Sequence, residues 1–416
     1  MTSNNHSYYH SLELEGINCF KDKQRLDLSD GKGNFSKWTI ILGDNGIGKT
    51  TLLRVLDRMQ PINKENDNKI SSRSGLSNTY FKSEQYNISL SLIEQQNIVE
   101  FTASASKNSK FTFLSVSELL TNNFLLSYGA SRRMSKNPNI SQKESTLNKF
   151  TSLFDDSIEL INAEEWFLQK EMISLKANEK TKIKYKNDFE LVKNILIDIL
   201  PNVLDIRVKE INETNSKLLL EVQINENEWI HIRDLSFGYQ TLTALIVDIA
   251  ANMMEQYPES DNPLAEPVII LIDEIDLHLH PKWQRTVIEK LSHHFPNAQF
   301  IATSHSPLIV QAAQDQGANI VVCRKEGDQV IIDNNPDEVK GWRIDQILTS
   351  DLFETDSSRS IGTQENIDNY VKLKGKSNLS NDEQDVFENL IPKVKSAFPE
   401  TILDEKLLQF AEKYLK

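Results

Sequence analysis

The eight residues from Gly43 to Thr50, GDNGIGKT, constrain this chain more than any other stretch. They match the spacing G-x-x-x-x-G-K-[ST], and they stand between an apolar run, WTIIL, and a helix-like run, KTTLLRVLDRM. A buried strand that enters a glycine-rich turn and leaves it as a helix is the setting this spacing requires. The glycines let the backbone curl until several N–H groups point inward at phosphate oxygens. The helix N-terminus adds a partial positive charge. Lys49 then reaches the β- and γ-phosphates, and the Thr50 hydroxyl ligates Mg²⁺. The expected nucleotide-binding residues are Gly43, Asp44, Asn45, Gly46, Ile47, Gly48, Lys49, Thr50 and Thr51.

A phosphate loop needs a core to hold it. With 416 residues, 39% of them hydrophobic, the chain is long enough for one large or two modest domains. The net charge of -14 disfavours nucleic acid and anionic membrane over the surface as a whole, so any such contact needs a local basic patch. Cys19 and Cys323 are far apart and lack metal-type spacing, which fits a reducing compartment. The N-terminus has no apolar segment of signal-peptide length, and no apolar run approaches the ~18 residues of a membrane span. These features predict a soluble cytoplasmic protein.

Along the chain, residues 1–10 read as loose and polar, and 11–29 as two strands with a turn near Lys21–Lys23. Residues 61–80 read as polar loop, and the alternating runs after them as an antiparallel meander. NNFLLS is a strand leading into the basic loop YGASRR. Two stretches of helical spacing, NAEEWFLQKEMISLKA and KNDFELVKNILIDIL, form a short hairpin whose tip carries Lys176, Lys180, Lys182, Lys184 and Lys186. LDIRVKEI, KLLLEVQI and EWIHIRDL read as three strands. PVIILID and QFIATS are apolar on both faces, as in a parallel sheet covered by helices. NIVVCRKEGDQVIID is a hairpin, and the C-terminal region is helical with a capping box at Ser380 and Glu383.

Further chemistry sits at the strand ends. VIILIDE brings Asp273 to a strand tip, where its carboxylate can hold Mg²⁺. Glu274 follows and can take a proton from an attacking water. TSHSP places His305 at the next strand end, within reach of a γ-phosphate or that water. RDLSFGYQT, Arg233 to Thr241, precedes a long apolar run; Ser236 suits a helix N-cap, its hydroxyl accepting from a first-turn N–H.

A phosphate loop, a Leu-Ser-x-Gly-x-Gln turn, an Asp-Glu strand end and a Ser-His strand end occur in that order, and together they resemble the ATP-binding cassette superfamily. The resemblance implies ATP and Mg²⁺ as ligands and a homodimer, with higher oligomers open. In it, Ser236, Phe237, Gly238 and Gln240 cap the ATP held by the opposite subunit, and Asp276 lies in the loop at the dimer interface. It also implies an α/β P-loop NTPase: a head with mixed and parallel sheet, an antiparallel β subdomain, a short helical-hairpin insertion and a helical C-terminal tail. The corresponding division is 11–145 for the N-terminal lobe, 146–202 for the hairpin, 203–335 for the C-terminal lobe and 336–416 for the helical region.

The long separation of Lys49 from Asp273 and the continuation IDLHLHPKWQ resemble the RecF, SMC and OLD-like branch more than a transporter cassette. The opening LELEGINCFKD is similar to that branch too, but Gly16, Ile17 and Asn18 stand where Asn, Phe and Arg are usual, leaving the adenine contacts unassigned. YGASRR offers no glutamine for Mg²⁺; Arg132 and Arg133 serve phosphate, a partner or simple solvation. The short insertion resembles compact ATPases of bacterial antiphage defence: the Septu ATPase subunit, retron-associated ATPases and the PARIS ATPase. This implies a separate nuclease or effector chain as partner. A RecF-like DNA repair ATPase is the alternative, with Lys176–Lys186 as a nucleic-acid patch or merely solvated lysines; a transporter subunit is the third.

Overall fold

The computed structural model describes residues 6–63, 70–72, 85–94, 97–106, 112–114, 124–135, 152–209, 219–336, 339–350, 352–353, 355, 357–376 and 378–397. The chain divides into two compact units, Met1–Gly341 and Trp342–Lys416. The first begins with strands β1 (Ser7–Glu15), β2 (Gln24–Asp27) and β3 (Trp38–Leu42), helix α1 (Lys49–Arg58) and strand β4 (Pro61–Asn63). Strands β5 (Ile70–Ser72), β6 (Gln85–Glu94), β7 (Asn97–Ser106), β8 (Thr112–Leu114) and β9 (Leu125–Tyr128) follow. Helices α2 (Ala163–Lys176) and α3 (Glu179–Ile199) precede β10 (Asp205–Val208), β11 (Leu220–Asn225) and β12 (Glu228–His231). Next come α4 (Phe237–Gln256), β13 (Val268–Ile272), α5 (Pro281–Gln284) and α6 (Val287–His294). β14 (Ala298–Thr303), α7 (Pro307–Asp315), β15 (Asn319–Glu326) and β16 (Gln329–Asp333) complete this unit.

The central sheet has the order β16-β15-β3-β14-β13-β9. All its pairings are parallel except β15 with β16. Every residue of β3, β13 and β14 is buried, which is why these strands read as unbroken apolar runs. Trp38 on β3 stacks on Phe300 of β14, with ring centroids 4.1 Å apart. Because β3, β14, β13 and β9 run in one direction, their C-terminal ends meet at one edge. Gly43, Ser304, Asp273 and Gly129 follow those ends immediately. Ligands of open α/β sheets bind at that edge.

The second sheet, β2-β1-β6-β7-β8, is antiparallel. A fully buried Gln299 joins the two sheets: its Oε1 accepts from Tyr9 N at 2.8 Å, and its Nε2 donates to Tyr9 O at 2.7 Å. A buried amide in an apolar strand is tolerable because both its ends are bonded. This corrects, for residues 7–10, the expectation that residues 1–10 are loose; residues 1–5 lie outside those described. β1 begins at Ser7, and Tyr9 is fully buried with its hydroxyl donating to Leu56 O at 3.1 Å. The expected polar loop at 61–80 also contains structure, since β4 pairs antiparallel with β5; its remaining residues lie outside those described.

The helical hairpin is α2 and α3, N-capped by the Asn162 and Asn178 side chains. A Lys170–Asp188 ion pair of 2.6 Å fixes its register. Lys176, Lys180, Lys182, Lys184 and Lys186 are all exposed near its tip, interleaved with exposed Met172, Leu175 and Ile183. β10, β11 and β12 form a separate antiparallel sheet, as their alternation predicts; the ETNS turn lies outside the described residues. In the second unit, α8 (Ile344–Leu348), α9 (Ile361–Lys374) and α10 (Asn381–Ser396) follow, and the Ser380/Glu383 capping box is formed. No helix among the described residues is long and apolar enough to cross a membrane.

Candidate nucleotide site

The loop from Gly43 to Thr50 has the curled backbone its composition predicts. Gly43, Gly46 and Gly48 hold φ of 138°, 75° and 100°, values that L side chains rarely adopt. Two of them are also closely packed. A Cβ on Gly43 would lie 2.5 Å from Cys323 O, and one on Gly48 would lie 2.5 Å from Cys19 Sγ. Asp44, Asn45 and Gly46 are exposed at the rim, while Ile47 is buried and anchors the loop. Lys49 is buried, its Nζ donating to Gly43 O at 2.7 Å and Asp44 O at 2.8 Å. Burial lowers its pKa from the ordinary lysine value, against the opposing pull of Cys323, Asp273, Glu274 and Asp44.

The end of β13 meets this loop. Thr50 Oγ1 donates to Asp273 Oδ2 at 2.8 Å, and Thr303 Oγ1 donates to Asp273 Oδ1 at 2.6 Å. Thr303 Oγ1 also accepts from Glu274 N at 2.7 Å. Thus Asp273, which is buried, has both carboxylate oxygens fixed, while the half-buried Glu274 carboxylate makes no hydrogen bond or ion pair among the described residues. A hydroxyl beside a carboxylate is a hard oxygen donor set that suits Mg²⁺, which takes one or two protein ligands and fills its remaining positions with phosphate and water oxygens. Among the described residues no cluster of three or more His, Cys, Asp or Glu offers a competing metal cage.

Arg132 was open in the sequence between phosphate, partner and solvent, and the structure settles where it lies. It is buried, and its guanidinium donates to the backbone carbonyls of Asp273 and Glu274, the latter at 2.9 Å. Arg133 is exposed. The sequence leaves the role of Arg132 open and gives no sign of Thr303; the adjacency of β9, β13 and β14 exposes their part. The half-buried His305 follows β14, and its backbone N donates to Asp276 Oδ1 at 3.3 Å. Asp276 therefore ties the loop after Glu274 to the His305 strand end.

The turn Ser236–Gln240 opens α4. Ser236 is the N-cap residue by backbone conformation, but its side chain makes no capping bond, which corrects the expected hydroxyl cap. The turn is held instead by Gln240, whose Nε2 donates to Arg233 O at 2.9 Å and Leu235 O at 2.8 Å. The Ser236 hydroxyl is left on an exposed residue, beside an exposed Phe237. Gly238 is buried against the loop after Glu274: a Cβ there would lie 2.4 Å from His278 O. No hydrogen bond or ion pair joins residues 233–241 to residues 43–51 among those described. Upstream, Glu164 accepts from Arg233 Nε at 2.8 Å, contacts His231 Nε2 at 2.7 Å and accepts from Leu220 N at 3.2 Å.

Residues 39–311 match the protein family described as "AAA domain, putative AbiEii toxin, Type IV TA system". The chain belongs to that family. Among individual proteins, it is 26% identical to the Septu protein PtuA of Bacillus mycoides over 347 residues, 83% of this chain and 45% of that protein. It is 47% identical to the retron Vc95 probable ATPase of Vibrio cholerae over 98 residues, 24% of this chain and 19% of that protein. The chain thus spans less than half the length of these two relatives. A solved Smc head bound to the C-winged helix domain of ScpA aligns over 78% of this chain and 97% of its own, at 15% identity and a TM-score of 0.48. The AAA-domain chain has the α/β architecture that the resemblance of its motifs implies.

Proposed function

We propose that the chain binds and hydrolyses ATP, dimerises head to tail around it and controls a separate nuclease chain in antiphage defence. One observation carries the ATPase reading: Asp273 is fixed between Thr50 and Thr303 at the mouth of the glycine loop, with an unengaged Glu274 carboxylate beside it. Gly43–Thr51 supply backbone N–H groups to the phosphates, and Lys49 exchanges the carbonyls of Gly43 and Asp44 for phosphate oxygens. Thr50 and Asp273 would hold Mg²⁺, and the bound ion would supply charge neutralisation on the phosphates. Glu274 takes the proton of the attacking water, and His305 is the second candidate for that task. Ser236 and Phe237, on the exposed start of α4, with Gly238 and Gln240 shaping the turn, face the ATP of the opposite subunit; Asp276 belongs to the same interface.

The defence role is supported by similarity to proteins named Septu PtuA and retron ATPase. The exposed apolar residues among the lysines of the hairpin tip suit a protein partner better than a nucleic-acid backbone, so the partner-controlling reading stands ahead of the DNA-repair one. A cytoplasmic location goes with this reading.

Glu274→Gln tests it. The amide keeps the shape and takes no proton, so ATP binding should persist while turnover falls by roughly 10²–10⁴-fold. ATP-bound dimers should accumulate on a sizing column. Normal turnover would remove Glu274 from the base role and leave His305 to be tested.

A further inference from the structure

We propose that Arg132 is a positioning residue whose guanidinium holds the backbone carbonyls of Asp273 and Glu274 and thereby aims the Glu274 carboxylate at the attacking water. This rests on the reading of Glu274 as the base. The need for such a device is visible in the backbone. Glu274 has φ of 49°, in the left-handed region. A non-glycine residue stays there only when its surroundings over-determine it.

Two sides supply the constraint. On one, Thr303 Oγ1 accepts from Glu274 N at 2.7 Å. On the other, Arg132 Nη2 donates to Glu274 O at 2.9 Å, and Nη1 donates to Asp273 O and, at 3.3 Å, to Gly129 O. The Glu274 side chain has no hydrogen-bonded partner of its own among the described residues, so the backbone conformation, which sets its Cα–Cβ direction, is the constraint on where it reaches. A planar guanidinium spans two successive carbonyls in a way that the single ammonium of lysine does not.

The cation is itself held firmly. Arg132 is 3% exposed. Its loop is anchored to the segment before α2, where Leu160 N donates to Arg133 O at 2.8 Å and Ser135 N to Leu160 O at 3.1 Å. Gly129 packs so closely on Ser152 that a Cβ would lie 2.2 Å from its carbonyl oxygen. Burial pushes the Arg132 pKa down to about 10, against the pull of Asp273, Asp276 and Glu274, so it remains charged at neutral pH. With its donors turned to carbonyls, Arg132 acts through Glu274.

A double-mutant cycle on the full chain tests this. Arg132→Lys, Glu274→Gln and the pair are assayed for ATP turnover and for binding of a fluorescent ATP analogue; Arg132→Gln, which keeps a planar donor, replaces Arg132→Lys if that protein does not fold. In the Glu274 background, kcat should fall by roughly 10²-fold, the scale of a misplaced catalytic group, with analogue affinity within about threefold of wild type. In the Glu274→Gln background the Arg132 substitution should add no further loss, because the group it aims is already gone. Losses that multiply would show that Arg132 acts apart from Glu274 and would overturn the proposal. So would a kcat near wild type, or a loss of analogue affinity as large as the loss of turnover. Normal turnover by Glu274→Gln alone would instead overturn the base assignment, and the aiming role with it.

Discussion

Thr50 Oγ1 donates to Asp273 Oδ2 at 2.8 Å, although 223 positions separate the two residues. The first residue after the phosphate-loop lysine and the tip of β13 thus form one oxygen pair. Asp273→Ala removes the carboxylate and leaves the loop amides and Lys49 in place. ATP affinity should then lose its dependence on Mg²⁺, while the weak affinity measured in EDTA stays unchanged. Lys49→Ala should abolish binding under both conditions, because it removes the cation of the loop. Titration with a fluorescent ATP analogue, with and without Mg²⁺, separates the two variants. Retained affinity in Lys49→Ala would end the phosphate-loop assignment.

The exposed Ser236 makes no capping bond, so its replacement should spare the helix it precedes. Ser236→Arg should keep nucleotide binding at its own Lys49 but lose hydrolysis and ATP-induced dimerisation. Mixing Ser236→Arg chains with Lys49→Ala chains gives hybrid dimers in which one site carries both defects and the other neither. If one bound ATP closes a dimer, activity should return to about a quarter of wild type, since half the dimers are hybrids with one intact site each. A Ser236→Arg protein that hydrolyses ATP normally by itself would reduce the turn to a helix start.

Glu164 is buried at the base of the hairpin and binds His231 and Arg233, just ahead of the Ser236 turn. Burial raises its pKa, but the hydrogen bonds from Arg233, His231 and Leu220 N outweigh that and hold it below the ordinary 4.5. A carboxyl depressed on folding stabilises the protein above its unfolded pKa, and this contribution is lost as pH falls through the folded value. Glu164→Gln should therefore lower stability at pH 7 by about 3 kcal/mol, the scale for removing one member of a buried ion pair. The gap from wild type should begin to narrow as the pH falls below the ordinary 4.5 and close only below the lower value of the folded state. Thermal melts across pH 3–8 read it directly, and a gap independent of pH would mean that Glu164 contributes by packing alone.

Much of the site could be read without coordinates because its chemistry is local. The glycines of GDNGIGKT, the apolar run before Asp273 and the one before His305 each state their own conformation in a few residues. Ser236 is less legible: its residue type suits an N-cap, but Gln240 holds the turn and the hydroxyl does no capping. The start of β1 is hidden in the sequence for a related reason. Its polar residues look like a loose tail, and distant partners make Tyr9 part of a sheet: it pairs with Leu92 of β6, and the side-chain amide of Gln299, 290 positions away, bonds its backbone N and O.

Residue order and periodicity determined the α/β class, the phosphate loop and the carboxylates at the strand tips, since backbone conformation and strand burial follow from near neighbours. Tertiary structure alone decided what surrounds those groups. β9 pairs in parallel with β13, and so Arg132 reaches the carbonyl of Asp273 from 141 positions away. An arginine in a polar loop carries no mark in the sequence to distinguish solvation from burial. Its environment is set by which strand ends the sheet brings to one edge, and that depends on long-range pairing.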